Sequence, residues 1–228
     1  IRALDLNGEI ITTPFTWIAT IDSILWERCK PVFVDVDKNT FNIDVSKIEK
    51  IITKNTQAIL GVHTFSNPCD VLQIQQIARR NKLKVIYDAA HSMFVRYRGK
   101  SILEYGDISA VSFHATKIFN TFEGGACITN SSKLAKTLQK IRFFGYDDTK
   151  KIQTLGINLK MTEAHAAMGL ANLKNAKKNF HSFNCAFITS PNEFHLAHLK
   201  DCIENKIPYI YVEKPAIGVE EYINDIKS

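Results

Sequence analysis

Two short runs of the sequence hold residue types that together could do amine chemistry. Lys117 lies in the run Ser-Phe-His-Ala-Thr-Lys-Ile-Phe-Asn-Thr-Phe-Glu-Gly-Gly, and Asp88 ends the apolar run Lys-Val-Ile-Tyr-Asp. A lysine amine can form an imine with an aldehyde cofactor. A carboxylate can keep a pyridinium nitrogen protonated, so that the ring withdraws electrons. An acid at a strand end, followed by a lysine in a loop rich in Ser, Thr and Gly, is the pattern that pyridoxal phosphate chemistry needs.

The elements that would position these residues alternate between strand and helix. Apolar runs predict strands at residues 9–13, 31–36, 56–62, 83–87, 110–113 and 126–129, and helical spacing predicts helices at 46–53, 70–81, 133–142 and 162–178. This alternation predicts an α/β fold with a mainly parallel sheet sandwiched by helices. Ligands of such sheets bind at the carboxyl ends of the strands, where Asp88, Ser112 and Lys117 are all expected.

The composition argues against nucleic-acid-binding, membrane-spanning and metal-binding classes of protein. The chain has 228 residues, of which 45% are hydrophobic and 23% charged, and a net charge of +6. Its basic residues are spread over helices without interleaved aromatics, so nucleic-acid binding is not expected. No apolar run reaches the ~18 residues of a membrane helix, and the first residues do not resemble a secretory signal, so none is expected. Five widely spaced cysteines without a C-x-x-C pair indicate reduced thiols in a cytoplasmic protein and no metal site.

Residues 1 to about 178 resemble the large domain of the DegT/DnrJ/StrS family of sugar aminotransferases, which are fold-type-I pyridoxal phosphate enzymes. Five segments carry the resemblance in the family's order: residues 13–17, 31–35, 87–91, 112–125 and 156–163. The family's phosphate-binding Gly-Thr turn and its C-terminal small domain are not found. The chain has no initiator methionine and opens on what reads as a helix end capped by Gly8, so we expect sequence to be missing upstream.

The resemblance implies a role for each of four residues. Lys117 would bind the cofactor as an imine and carry a proton between substrate and cofactor. Asp88 would pair with the pyridinium nitrogen, His91 would lie near the phenolic oxygen, and Ser112 would donate to the phosphate. The alternatives are a surface lysine, a helix-capping aspartate, a structural histidine and an ordinary serine at a strand end.

Two further positions concern the cofactor ring and a second subunit. Trp17 matches an aromatic residue over the ring, although core packing is an alternative. Asn158 matches an asparagine that reaches the phosphate in the neighbouring subunit, which implies a homodimer with shared active sites; a turn asparagine is the alternative. Some family members that remove a hydroxyl carry histidine where this chain has Lys117, so transfer of an amine is favoured.

The substrates follow from the same resemblance. The expected acceptor is a nucleotide-linked keto-sugar, such as a 4-keto-6-deoxyhexose used for surface polysaccharides, and the expected amino donor is glutamate. Because the family's phosphate turn and small domain are missing, an inactive truncated or fused fragment is an alternative reading.

Residues 184–228 resemble a different family, the Gfo/Idh/MocA oxidoreductases, and would form a partial Rossmann β-α-β unit after a boundary near residues 180–184. We therefore divide the chain into residues 1–180 and 184–228. Pro191, Asn192 and Lys214 match that family's nicotinamide site. No Gly-rich dinucleotide fingerprint precedes them, so independent NAD binding is not expected, although an NAD(P)-dependent sugar oxidoreductase remains an alternative function. His195 and His198 are interpreted as packing or surface residues.

Overall fold

The computed structural model describes residues 1–179, 185–188 and 209–212, with side chains described for residues 1–174. Its contacts divide the chain into two compact units, Ile1–Leu173 and Lys174–Ser228. The first unit contains the candidate site. The predicted boundary near residues 180–184 stays a prediction.

The first unit is built on a six-stranded sheet in the order β2-β1-β3-β4-β7-β8. Five of these strands are parallel to their neighbours, and β8 runs antiparallel to β7. The prediction of a mainly parallel α/β sheet is therefore confirmed. The strands are β1 (Glu9–Thr12), β2 (Lys30–Phe33), β3 (Thr56–Val62), β4 (Lys84–Asp88), β7 (Ile108–Ser112) and β8 (Gly125–Ile128), and β5 (Arg96–Tyr97) and β6 (Lys100–Ser101) form a small hairpin.

Helices occupy most of the positions that the periodicity predicts. They are α1 (Ile18–Trp26), α2 (Val45–Ile48), α3 (Val71–Asn81), α4 (Ser132–Arg142) and α5 (Glu163–Asn179), with 3-10 turns at Arg2–Leu4, Glu49–Ile51, Thr64–Ser66 and Ile102–Glu104. None of the helices in the described part of the chain is long and apolar enough to cross a membrane.

Helix α3 shows how local sequence sets an element. Asp70 caps its first turn, because the carboxylate accepts a hydrogen bond from the Gln73 N–H at 3.0 Å. Val71, Ile74 and Ala78 recur at helical spacing and are at most 1% exposed, so one face of the helix lies on the sheet. The helix ends at Lys82, whose φ of 58° is left-handed.

Two predictions about helix ends need correction. The N-terminal turn is a 3-10 turn that ends at Asp5 in a left-handed conformation, so Gly8 is not its cap. Gly8 instead packs where a Cβ would be 2.9 Å from the Gln57 side chain. The helix predicted at 46–53 is a short α-helix, Val45–Ile48, followed by a 3-10 turn, Glu49–Ile51.

The core lies on both faces of the sheet, because successive strand residues point to opposite sides. Ile11, Ile59, Val85 and Tyr87 pack with α3 on one face. The opposite face carries a second cluster that includes Ile24 of α1, and its members are Ile10, Ile24, Cys29, Ala58, Leu60 and Ile86. This alternation decides which side chains of β4 meet which helix.

The second unit contains two strands that the structure describes. They are β9 (Cys185–Ile188) and β10 (Tyr209–Val212), and they pair in parallel. Both lie in residues 184–228, where the sequence predicts a β-α-β unit. The helix of that predicted β-α-β unit lies outside the described residues.

Candidate active site

Asp88 is the last residue of β4 and lies at the carboxyl edge of the sheet. It follows Ile86 by two residues and so projects to the face that α1 covers. Its Oδ2 accepts a hydrogen bond from the Thr20 hydroxyl of α1 at 2.6 Å, and its Oδ1 accepts one from the Ala90 N–H at 3.1 Å. Each carboxylate oxygen has two lone pairs, so both can still accept from another donor.

Lys117 lies in the loop that joins β7 to β8. The loop begins with a turn in which the Lys117 N–H donates to the His114 carbonyl oxygen at 2.9 Å. Phe119 anchors the loop, because its ring is 7% exposed and makes an edge-on contact with Phe113 at 4.9 Å between centroids. At the end of the loop, Gly124 has a φ of +150°, which a residue with a side chain rarely adopts.

The side chains of Lys117 and His91 meet. Lys117 Nζ is 2.8 Å from His91 Nε2. Since a lysine ammonium has only donors, His91 accepts at Nε2 in this contact. The backbone of His91 is fixed by the 3-10 turn that follows β3, because the Ser66 hydroxyl of this turn donates to the His91 carbonyl oxygen at 2.6 Å. The loops after β4 and β7 therefore bring a lysine and a histidine into direct contact.

Ser112 ends β7, directly before the lysine loop. It pairs with Gly125 of β8, and its Oγ accepts a hydrogen bond from the His114 N–H at 3.3 Å. The hydroxyl proton of Ser112 is not used in that bond, so the side chain can still donate. Its predicted role as a phosphate donor stays a prediction.

Trp17 and Asn158 are placed differently from the other four residues. Trp17 precedes α1 as its N-cap residue, and its side chain is not in the core, because it is 79% exposed. Asn158 is exposed and forms an antiparallel bridge with Phe143. Within the described residues, no hydrogen bond joins Asn158 to Asp88 or Lys117. Contact of Asn158 with a second subunit stays a prediction.

Two hydroxyl residues of the site, Thr16 and Thr20, were not predicted from the sequence. Thr20 is 5% exposed and donates to Asp88, and Thr16 Oγ1 is 2.7 Å from Thr20 Oγ1. One signal could have indicated them, since Thr16 and Thr20 lie four residues apart around the start of α1, a spacing that brings side chains together on a helix. The contact with Asp88 could not be read from spacing, because 68 residues separate the partners.

A buried histidine lies behind Asp88 on the opposite face of the sheet. The His63 N–H donates to the Asp88 carbonyl oxygen at 3.0 Å. Its ring stacks on Tyr87 at 4.6 Å, and Nδ1 accepts from the Cys69 N–H at 3.1 Å. Burial lowers the pKa of His63 from 6.5 to about 4, because the charged imidazolium loses its hydration. His63 is therefore neutral in the folded protein near pH 7.

Other proposed ligand residues can be placed only in part. In residues 1–174, no three side chains of His, Cys, Asp or Glu lie close enough together to hold a metal ion. Pro191, Asn192 and Lys214 lie outside the described residues, as do His195 and His198.

The donor set fits pyridoxal phosphate. A lysine amine, an imidazole and a carboxylate with free lone pairs lie at the carboxyl ends of neighbouring strands of a mainly parallel sheet. This fold and site define the large-domain class of pyridoxal phosphate-dependent aminotransferases. Residues 1–184 match the model of one family within that class. The chain belongs to the DegT/DnrJ/EryC1/StrS aminotransferase family.

Individual relatives agree with the family match. A dTDP-4-amino-4,6-dideoxy-D-glucose transaminase of Shigella dysenteriae is 48% identical over 174 residues, which cover 76% of this chain and 47% of that protein. The crystal structure of DesI in the presence of its TDP-sugar product superposes with a TM-score of 0.74 at 34% identity, and the match covers 87% of this chain and 48% of that one.

A third relative was solved with a cofactor. The structure of NtdA from Bacillus subtilis contains bound cofactor PMP, and it matches with a TM-score of 0.73 at 33% identity, covering 90% of this chain and 46% of that one. The chain thus spans about half the length of the relatives that it matches. The comparisons give no support to the oxidoreductase resemblance of residues 184–228, so the nicotinamide site is not carried further.

Proposed function

We propose that this protein binds pyridoxal phosphate and transfers an amine to a nucleotide-linked keto-sugar. The observation that carries the proposal is the contact of Lys117 Nζ with His91 Nε2 at 2.8 Å, beside an Asp88 carboxylate at the end of the adjacent strand. A lysine held by an imidazole on this sheet edge supports a role in binding the cofactor and moving protons, which a lysine on a solvated helix face would not support.

Each residue has a role in this proposal. Lys117 would hold the cofactor and move a proton at the substrate's amine-bearing carbon. His91 Nε2 would accept the proton that Lys117 must lose before its amine can act as a base or nucleophile. Asp88 would orient the ring through its nitrogen, and Ser112 would donate its hydroxyl to the phosphate.

When bound, pyridoxal phosphate supplies an aldehyde carbon and an electron-withdrawing ring. The protein supplies the geometry. The Phe119 anchor holds the lysine loop against β7, and the strand register places Asp88 on the side of α1. Because these groups are fixed by packed elements, little reorganisation is needed when they act.

The substrate class is supported by the relatives and by charge. The Shigella dysenteriae relative is named for a dTDP-linked amino sugar, and DesI was solved with a TDP-sugar product. The net charge of +6 favours the approach of an anionic nucleotide sugar. We propose a 4-keto-6-deoxyhexose as acceptor and glutamate as donor, in the synthesis of a surface polysaccharide.

We also propose that the active form is a homodimer with shared sites. Asn158 and Trp17 are both exposed, and several exposed apolar residues lie close to Asn158 in the chain, namely Ile152, Leu155, Ile157 and Leu159. A second copy of the protein would cover the exposed apolar residues beside Asn158 and let Asn158 reach the partner's phosphate site. Size-exclusion chromatography with light scattering would test the dimer, and a monomer at micromolar concentration would contradict it.

The cofactor proposal is tested by absorbance. The purified chain, incubated with pyridoxal phosphate and dialysed, is expected to keep the visible band of lysine-bound cofactor. Lys117→Ala is expected to lose the band, and Lys133→Ala is the matched control, because Lys133 is an exposed lysine on α4. A band of equal intensity in Lys117→Ala would refute the assignment.

The transfer step needs a second measurement. Glutamate added to the cofactor-loaded protein is expected to bleach the band and yield 2-oxoglutarate, which a coupled dehydrogenase assay detects. A stable band in excess glutamate would mean that the chain binds the cofactor but does not transfer amines, which is the inactive-fragment reading.

A further inference from the structure

We propose that Thr20 is a positioning residue of the cofactor site, which fixes the Asp88 carboxylate and couples it to the turn that carries Trp17. This inference rests on the proposed function. It concerns a residue that touches Asp88 and not the reacting atoms, so its effect is exerted through the carboxylate.

The contact is short and shielded from water. Thr20 Oγ1 is 2.6 Å from Asp88 Oδ2, and Thr20 is 5% exposed. A bond of this length from a hydroxyl to a carboxylate is in the range of charge-assisted hydrogen bonds. Together with the Ala90 N–H on Oδ1, it gives each carboxylate oxygen one fixed donor, so the plane of the Asp88 carboxylate is set from two sides.

The direction of the hydroxyl chain follows from the number of protons. An ionised carboxylate only accepts, so the single hydroxyl proton of Thr20 is committed to Asp88. Thr16 Oγ1, 2.7 Å from Thr20 Oγ1, must therefore be the donor in the contact between the two threonines. The hydrogen bonds therefore run from the Thr16 hydroxyl to Thr20 and from the Thr20 hydroxyl to Asp88. Thr16 holds the Thr20 hydroxyl in its donating orientation.

The same residue connects Asp88 to the start of α1. The Thr20 N–H donates to the Trp17 carbonyl oxygen at 3.0 Å, within the first turn of the helix. Thr20 thus bonds the Trp17 backbone through its main chain and Asp88 through its side chain. If Trp17 covers the cofactor ring and Asp88 binds the ring nitrogen, Thr20 sets the position of both groups relative to each other.

The experiment compares four forms of the full chain: the unmodified protein, Thr20→Val, Thr20→Ser and Thr12→Val. Valine keeps the shape of threonine and removes the hydroxyl, whereas serine keeps the hydroxyl. Thr12 is the matched control, because it is also a buried threonine and its Oγ1 has no hydrogen-bond partner among the described residues. Pyridoxal phosphate is titrated into each form, and the visible absorbance is recorded across a pH series.

We expect Thr20→Val to bind the cofactor about tenfold more weakly, the effect of losing one hydrogen bond to a charged group, and to shift the pH at which the absorbance changes. Thr20→Ser and Thr12→Val should match the unmodified protein in both readouts. A Thr20→Val protein that matches Thr12→Val would overturn the role of Thr20 while leaving the proposed function intact. Failure of the unmodified protein to bind the cofactor would instead refute the proposed function.

Two further measurements guard against a folding artefact. Thr16→Val alters a half-buried position and should weaken binding in the same direction by a smaller factor; if Thr20→Val does not fold, an unchanged Thr16→Val decides against the hydroxyl chain. In the absence of cofactor, the loss of urea resistance caused by Thr20→Val should largely vanish in an Asp88→Ala background, because alanine removes the acceptor of the Thr20 hydroxyl. An equal loss in both backgrounds would show that Thr20 acts by packing alone.

Discussion

We expect acidification to destabilise this protein through His63, the buried histidine behind Asp88. His63 is 2% exposed, its Nδ1 accepts from the Cys69 N–H, and its Nε2 has no hydrogen-bond partner among the described residues. A proton added to this ring would place an imidazolium between Tyr87 and the core without an acid to compensate it, and would displace the Cys69 N–H from its acceptor.

The magnitude follows from the pKa difference between the unfolded and folded states. The pKa of His63 falls from 6.5 to about 4 through burial, a difference of about 2.5. At 1.36 kcal/mol for each pKa unit, this is worth about 3.4 kcal/mol. Because the pKa of His63 is lower in the folded state, the folded protein becomes less stable as the pH falls. Stability is complete above pH 6.5, is lost as the unfolded chain takes up a proton below that pH, and stops falling below about pH 4, where the folded state is also protonated.

The assay is urea unfolding followed by circular dichroism, in a series from about pH 7.5 to about pH 4. His63→Asn is the test variant, because its Oδ1 can take the place of Nδ1 as acceptor for the Cys69 N–H and the side chain does not titrate. The control is His114→Asn, since His114 is exposed. His63→Asn loses packing on Tyr87 and should be less stable at neutral pH, but its disadvantage should shrink by about 3 kcal/mol across the series.

The test compares the stability of each variant with that of the unmodified protein at every pH, because other groups also titrate in this range. If the stability curves of His63→Asn and the unmodified protein run parallel down to about pH 4, His63 takes up its proton equally in both states and the reasoning is refuted. If the stability of His114→Asn also approaches that of the unmodified protein as the pH falls, the effect is not specific to His63 and reflects the change in overall protein charge.

Three further predictions concern stability. Gly145→Ala should lower the free energy of unfolding by about 2 kcal/mol or more, measured by urea unfolding, because Gly145 has a φ of +78° and a Cβ there would collide with the Thr154 carbonyl oxygen. Tyr87→Phe should be neutral or stabilising by up to about 1 kcal/mol in thermal unfolding, since the Tyr87 hydroxyl is buried without a partner among the described residues; a marked loss would reveal a partner. Asp107→Ala should cost about 1–3 kcal/mol, because Asp107 Oδ2 accepts from the Val85 N–H at 2.8 Å, whereas Asp107→Asn should cost less.

Local patterns in the sequence predicted most of the fold of the first unit. The strand at 56–62 matches β3 at both ends, because its residues are apolar on both faces and are bounded by polar turns. Asp44 and Asp70 cap α2 and α3, and such caps can be read from the sequence, since a capping carboxylate acts only on N–H groups two or three residues away. These features depend on neighbours in the chain, which a sequence displays directly.

Features that depend on distant partners were not predictable in the same way. The bond from Thr20 to Asp88 joins residues 68 positions apart, and the contact of Lys117 with His91 joins residues 26 apart. The sequence indicated that Asp88 and Lys117 would share the sheet edge, because both follow parallel strands. It did not indicate that Thr20 would meet Asp88, since that requires knowing which face of β4 lies under α1.

The register of β4 explains both the site and the buried histidine. Successive residues of a strand point to opposite faces, so Tyr87 must lie toward α3 if Asp88 lies toward α1. A slip of one residue would exchange them, burying the carboxylate against His63 and presenting the phenol to Thr20. The core position of Tyr87, which is fully buried and stacked on His63, therefore keeps Asp88 at the Thr20 hydroxyl. The packing of one face of the sheet thus determines the chemistry available on the other.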